Sequence, residues 1–260
     1  MPKLACLLVL PLAAAPALAS GYRFRATTHA EGTSSAAISM ADTVVAGRVD
    51  GPDARIEIEK SRNPLLPPGD VLVTRDGGKT FTRIDPARKV SSAWTPSGLA
   101  TGRNAAAGSI VAVRFENPEV RKLAESPGEK IGGFSTRYFK LRIAYVTDVD
   151  VMGSVTKTAT TRVEELWTAP ALTDSGFAAW LRKDSASTGN EELDRRISQE
   201  ISAVPGTPLK RVTTTTWTDP SGKDQTVKTT ISVSDLAKMT ASPDLFKVPP
   251  GFRDPSAQSH

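Results

Sequence analysis

The stretches STRYFKLRIAYVT (residues 135–147) and SVTKTATTRVEELWT (residues 154–168) decide the fold. In the first, Phe139, Leu141, Ile143 and Tyr145 occupy alternate positions, opposite Tyr138, Lys140 and Arg142. That period of two belongs to a pleated strand with one buried face. In the second, Val155, Ala159, Val163 and Trp167 share a parity and read as the matching apolar face. The segment from Asp148 to Gly153 joins them, so the pair reads as a long central hairpin, with Asp148 and Asp150 at a solvated tip.

The same alternation extends outward in both directions. Toward the N-terminus, strands are expected over Tyr22–Ala30, Thr43–Asp50, Arg55–Lys60, Val71–Arg75, Lys79–Asp85 and Lys89–Trp94. Gly51-Pro52-Asp53 and Asp76-Gly77-Gly78 supply tight turns between them. Residues 95–108 read as a flexible connection, and Ile110–Glu116 as extended. Toward the C-terminus, Leu209–Trp217 and Gln225–Val233 flank Asp219-Pro220-Ser221-Gly222, a type I turn sequence. The 28 threonines fit this reading, because β-branched side chains suit a pleated, half-buried surface.

Helical spacing is rarer. Asn117-Pro118 has the form of a cap followed by proline in the first turn, predicting a short helix with Val120, Leu123 and Ala124 on one face. Phe177, Trp180 and Leu181 predict a second helix. Leu193, Ile197 and Ile201 behind Asn190 predict a third, with Glu191 and Glu192 in its first turn, where negative charge meets the positive end of the helix dipole. The apolar stripes of the last two must be buried, and the only large apolar partner is the sheet.

Composition excludes more than it names. The chain has 260 residues and a formal net charge of +5. Lys3 precedes an apolar run from Leu4 to Ala15, and Ala17-Leu18-Ala19 ends in the small residues that a signal peptidase requires. Residues 1–19 are therefore expected to be a signal peptide and residues 20–260 a single domain, exported to the periplasm, or secreted if the host has no outer membrane. Removing Lys3 with the leader leaves 260 − 19 = 241 residues at +4. The one cysteine, Cys6, lies in the leader, so the remaining chain has no disulfide or thiolate chemistry. The two histidines, His29 and His260, lie at its ends, which disfavours a histidine triad or a zinc site. Glu164 and Glu165 point to opposite faces of a strand and make no local acid/base pair. Asp148 and Asp150 lack the further oxygen ligands that calcium needs, and Thr213–Thr216 reads as ordinary strand. Basic residues are scattered rather than clustered with aromatics, which argues against nucleic acid. No enzyme, cofactor, metal or transmembrane span is expected, and the expected state is a monomer.

The order of elements, with Gly206-Thr207-Pro208-Leu209-Lys210 opening a threonine-rich hairpin and LFKVPPGF (residues 245–252) near the end, resembles the exported half-barrel superfamily of the bacterial lipoprotein carriers. The likeness is closer to its envelope members of unknown function. Residues 132–138, GGFSTRY, also look like the entry to a central strand in those relatives. The resemblance implies a mainly β fold with a few helices: a strongly curved, unclosed antiparallel sheet carrying its helices on the concave face. In the carriers, the space between sheet and helices accepts acyl chains. The departures are that no motif marks a dedicated carrier and that residues 95–108 have no counterpart. Trp94, Phe139, Leu141, Ile143, Tyr145, Trp167, Phe177, Trp180 and Trp217 are accordingly the candidate ligand-binding residues, although plain core is the simpler reading of such apolar positions. Val155, Ala159, Val163, Leu209, Val227, Ile231 and Val233 are further candidates for the concave face. The expected function is non-enzymatic binding of a lipid, acyl chain or lipoprotein. The alternative is a protein-interaction or scaffold module of the envelope, without a small-molecule ligand.

Overall fold

The structure, a computed structural model, describes residues 21–33, 42–94, 111–152, 154–183, 190–219 and 221–254. The expected leader and the connection at 95–108 lie outside the described residues. Eleven antiparallel strands form one sheet: β1 (Gly21–Gly32), β2 (Thr43–Asp50), β3 (Asp53–Ser61), β4 (Val71–Thr74), β5 (Phe81–Asp85), β6 (Val90–Trp94), β7 (Val111–Pro127), β8 (Arg137–Val151), β9 (Ser154–Ala169), β10 (Thr207–Thr218) and β11 (Asp224–Met239). Their order across the sheet is β6-β5-β4-β3-β2-β1-β11-β10-β9-β8-β7. Two meanders are thus sewn together where the first strand pairs with the last, and β6 and β7 are the edges of a sheet not closed into a barrel.

Register shifts interrupt the β1–β11, β2–β3, β9–β10 and β7–β8 ladders. Extra residues of this kind bend and twist a strand, so they curl the sheet into a trough. Asp235 and Asn117 sit in two of these shifts with φ of 53° and 51°, in the left-handed region that an aspartate or asparagine tolerates best after glycine.

The helix predicted after Asn117 is not formed. β7 runs straight through it, paired with β8 from Val111–Val151 to Pro127–Arg137. The Asn-Pro signature is instead the site of a bulge. Pro118 is tolerated because β7 is an edge strand, where a missing N–H need not break a ladder.

Two helical pieces lie on the concave face. Residues Ser175–Ala179 form a single 3₁₀ turn rather than the amphipathic helix the spacing predicts. Asp174 does not cap it; its carboxylate accepts from the Gly51 N–H at 3.4 Å, tying the segment to the β2–β3 turn. Gly176 follows at close quarters, its N–H donating to Gly51 O at 2.8 Å, where a Cβ would come within 2.6 Å of Asp53 O. The piece acts as a plug. Phe177 enters the core at 5.5 Å from the Tyr22 ring and 5.8 Å from the Phe24 ring. The Phe24 ring in turn fits over Gly47, where a Cβ would lie 2.2 Å from Cζ.

The second piece, α1 (Glu191–Ser202), forms as expected. Asn190 caps it by accepting from the Leu193 N–H at 2.9 Å, and Leu193, Ile197 and Ile201 are buried. Lys183 links the two pieces by donating to Val204 O at 2.6 Å. Among the described residues no helix is long and apolar enough to cross a membrane.

The opposite face is mostly a lattice of charged pairs, such as Arg142–Glu119 and Lys228–Glu31. It also carries an apolar patch where Leu245, Phe246, Val248 and Phe252 pack on Val71, Val73 and Ile84 of β4 and β5.

Candidate functional site

The ladder registers define the inner surface rung by rung. One rung runs Phe139–Leu166–Arg211–Ile231–Thr28, the next Leu141–Glu164–Thr213–Thr229–Ala30, then Ile143–Arg162–Thr215–Val227–Gly32, and last Tyr145–Thr160–Trp217–Gln225. Side chains opposite one another in a ladder share a face, so these residues line the trough over β8 to β11 and β1.

This register corrects the reading of β9. Trp167 pairs with Tyr138 and Val163 with Arg142, so both lie on the convex face. Trp167 packs at a tilt against the Tyr138 ring, with centroids 4.9 Å apart, and Lys210 Nζ stands 4.5 Å above it. Trp167 is therefore removed from the concave set, and Val155 and Ala159 share its parity. The inner face of β9 is Thr160, Arg162, Glu164 and Leu166. Tyr138 also donates to Glu165 at 2.5 Å; burial first, then that carboxylate, push the phenol up to about 12.

Sequence reasoning missed the charged floor of the trough. Glu164 is fully buried. Arg211 grips it with Nε at 2.9 Å and Nη2 at 3.0 Å, Thr213 donates at 2.8 Å, and Arg162 Nε lies 2.7 Å away. Burial alone pushes the carboxyl pKa up, but the charge and hydrogen bonds of Arg211, with Arg162 and Thr213, outweigh it and hold it below its ordinary 4.5. A carboxylate clamped in the ionised form by two guanidiniums is poorly suited to proton transfer at neutral pH. It is suited to fixing the relative positions of β9 and β10. A signal for it existed: Arg211 and Thr213 lie between Leu209 and Trp217 on the face expected to be concave, which placed charge inside the trough.

The other candidates divide into two groups. Leu141 and Ile143 lie beneath α1, in contact with its buried stripe of Leu193, Ile197 and Ile201. Phe139 packs with Leu166 and Val204, and Phe177 sits within the core of β1 to β5. These four are packed core. Trp94, Trp180, Tyr145 and Trp217 are half-buried. Trp94 packs edge-on to Phe81 at 5.4 Å and Tyr145 against Phe115 at 5.5 Å. The Trp180 indole N–H is buried and has no hydrogen-bond partner among the described residues.

Asp148 is not at a hairpin tip. It lies within β8, is buried, and has Lys157 Nζ at 3.7 Å, while the turn is at Met152. Among the described residues there is no cluster of three or more His, Cys, Asp or Glu that could hold a metal ion.

Two open clefts lie along β7. One, of about 380 Å³, is lined by Val120 with Arg195, Arg196, Gln199 and Glu200 of α1. The other, of about 640 Å³, is lined by Glu125, Ser126, Pro127, Thr136 and Arg137. Neither involves any of the nine candidate residues. No protein-family model matches the chain, and no curated protein matches it.

Proposed function

We propose that the protein is an exported, non-enzymatic envelope protein that binds a hydrophobic or amphipathic molecule, such as a lipid or acyl chain, in the trough beside α1. The observation that carries this reading is the change along the concave face. Under the 3₁₀ turn and α1 the floor is packed core, whereas Tyr145, Thr215, Trp217 and Val227 on the outer rungs are half-exposed. Aromatic and aliphatic side chains with hydroxyls at their borders suit a ligand that has an apolar body and a polar end. The leader sequence and the resemblance of the element order to exported half-barrels support the compartment and the ligand class.

The test is to purify the full chain from the envelope fraction of a producing cell and extract it with organic solvent. Titration with a fluorescent fatty acid follows. The reading expects a copurifying lipid, or saturable uptake of one probe molecule per chain that Trp217→Ala weakens. A lipid-free protein that takes up no probe would refute it.

A further inference from the structure

The two free edges of the sheet are protected by different means. Edge strands present unpaired backbone groups and invite pairing with another chain, and proteins blunt them with bulges, prolines and charges. β7 has all three: two register shifts, Pro118, and the charged residues Glu116, Glu119, Arg121, Lys122 and Glu125. β6, Val-Ser-Ser-Ala-Trp, has none of them. Its protection comes from the far end of the chain. Phe246 is buried on the outer face of β4 and β5, with Leu245, Val248 and Phe252 beside it. The backbone then reaches the β6 edge, where Ser91 N–H donates to Arg253 O at 2.8 Å and Arg253 N–H donates to Lys89 O at 3.0 Å. Residue 253 therefore forms a one-residue parallel bridge with Val90.

We propose that residues 241–253 are a strap that guards the β6 edge, and that without it this edge pairs with the β6 edge of a second copy of the chain. The partner is a second copy because two β6 edges can pair antiparallel with each other about a two-fold axis, the isologous contact that a freed, charge-free edge strand makes with its own equivalent. The guarded edge is charge-free and lies next to an apolar surface, the combination that leads to self-association.

The test compares the full chain with a form ending at Thr240, by sedimentation velocity over a wide concentration range. The shortened form is expected to shift with concentration toward about twice the mass of the full chain. Adding Ala93→Lys to it, which places a charge on the edge, is expected to restore the mass of the full chain. An unchanged mass, or association that Ala93→Lys does not relieve, overturns the proposal. If the shortened form does not fold, Arg253→Pro decides the matter, because it removes the donor to Lys89 and leaves the apolar anchors in place. Faster hydrogen exchange at the Ser91 amide together with a concentration-dependent rise in mass supports the strap. Unchanged exchange or unchanged mass refutes it.

Discussion

The concave face over β1 to β5 and the concave face over β8 to β11 belong to one sheet, yet they are built differently. In the first, Phe24, Val45, Ile56, Leu72 and Phe81 close around Phe177 as an ordinary dry core. In the second, apolar packing under α1 gives way to a buried Arg162–Glu164–Arg211 group and then to half-exposed Tyr145 and Trp217. A dry core stabilises through area removed from water. A clamped ion group contributes little net stability but penalises any arrangement that leaves one charge alone. The first region is therefore where the fold is held, and in the second the ionic group fixes how β9 and β10 sit together.

That contrast can be broken by substitution. Phe177→Ala empties the middle of the first region and is expected to cost about 4 kcal/mol in urea unfolding, with uptake of a fatty-acid probe by the remaining folded protein unchanged. A loss below about 1 kcal/mol would mean that the plug is not what holds this half. Glu164→Gln leaves two guanidiniums facing a neutral amide and is expected to cost about 3 kcal/mol. Replacing all three ionic residues together by Met, Leu and Met is expected to recover most of that loss. If the triple replacement is the worse variant, the group contributes net stability and the contrast with the dry core disappears.

Acid sharpens the same comparison. The pKa of Glu164 is lower in the folded state, so its contribution is complete well above 4.5 and is lost as pH falls below that value through the folded pKa. Glu164→Gln should therefore flatten part of the acid limb of a stability–pH curve, which Phe177→Ala should leave in place. The smallest effect expected is for Asn190→Ala, about 1 kcal/mol, because it removes one capping bond at the start of α1.

Much of this architecture was legible in the sequence where alternation and turn chemistry agreed. β2, β8, β9 and the Asn190-capped α1 are close to their expected limits. Local signals failed where tertiary pairing overrode them. Asn117-Pro118 is a good helix start in isolation, but a 17-residue partner ladder with β8 favours a bulged edge strand. The helical spacing of Phe177, Trp180 and Leu181 yields only a single 3₁₀ turn, because the segment is tied to the β2–β3 turn through Asp174 and Gly176. The face of β9 was misread for a physical reason. Counting apolar residues selects Val163 and Trp167, whereas Arg162 and Glu164 face inward because Arg211, on a strand more than forty residues later, completes the group. A pairwise charge match across strands is invisible to a one-strand periodicity. The convex position of Trp167 follows from the same cause.

The most direct test of the difference between the two faces uses the four tryptophans, Trp94, Trp167, Trp180 and Trp217, as reporters. Variants that each retain one tryptophan, with the other three replaced by phenylalanine, would be titrated with a brominated fatty acid, which quenches indole fluorescence on contact. Binding in the trough beside α1 predicts saturable quenching of Trp217 and none of Trp167, which lies on the convex side. Equal quenching of both, or none of Trp217, would contradict it.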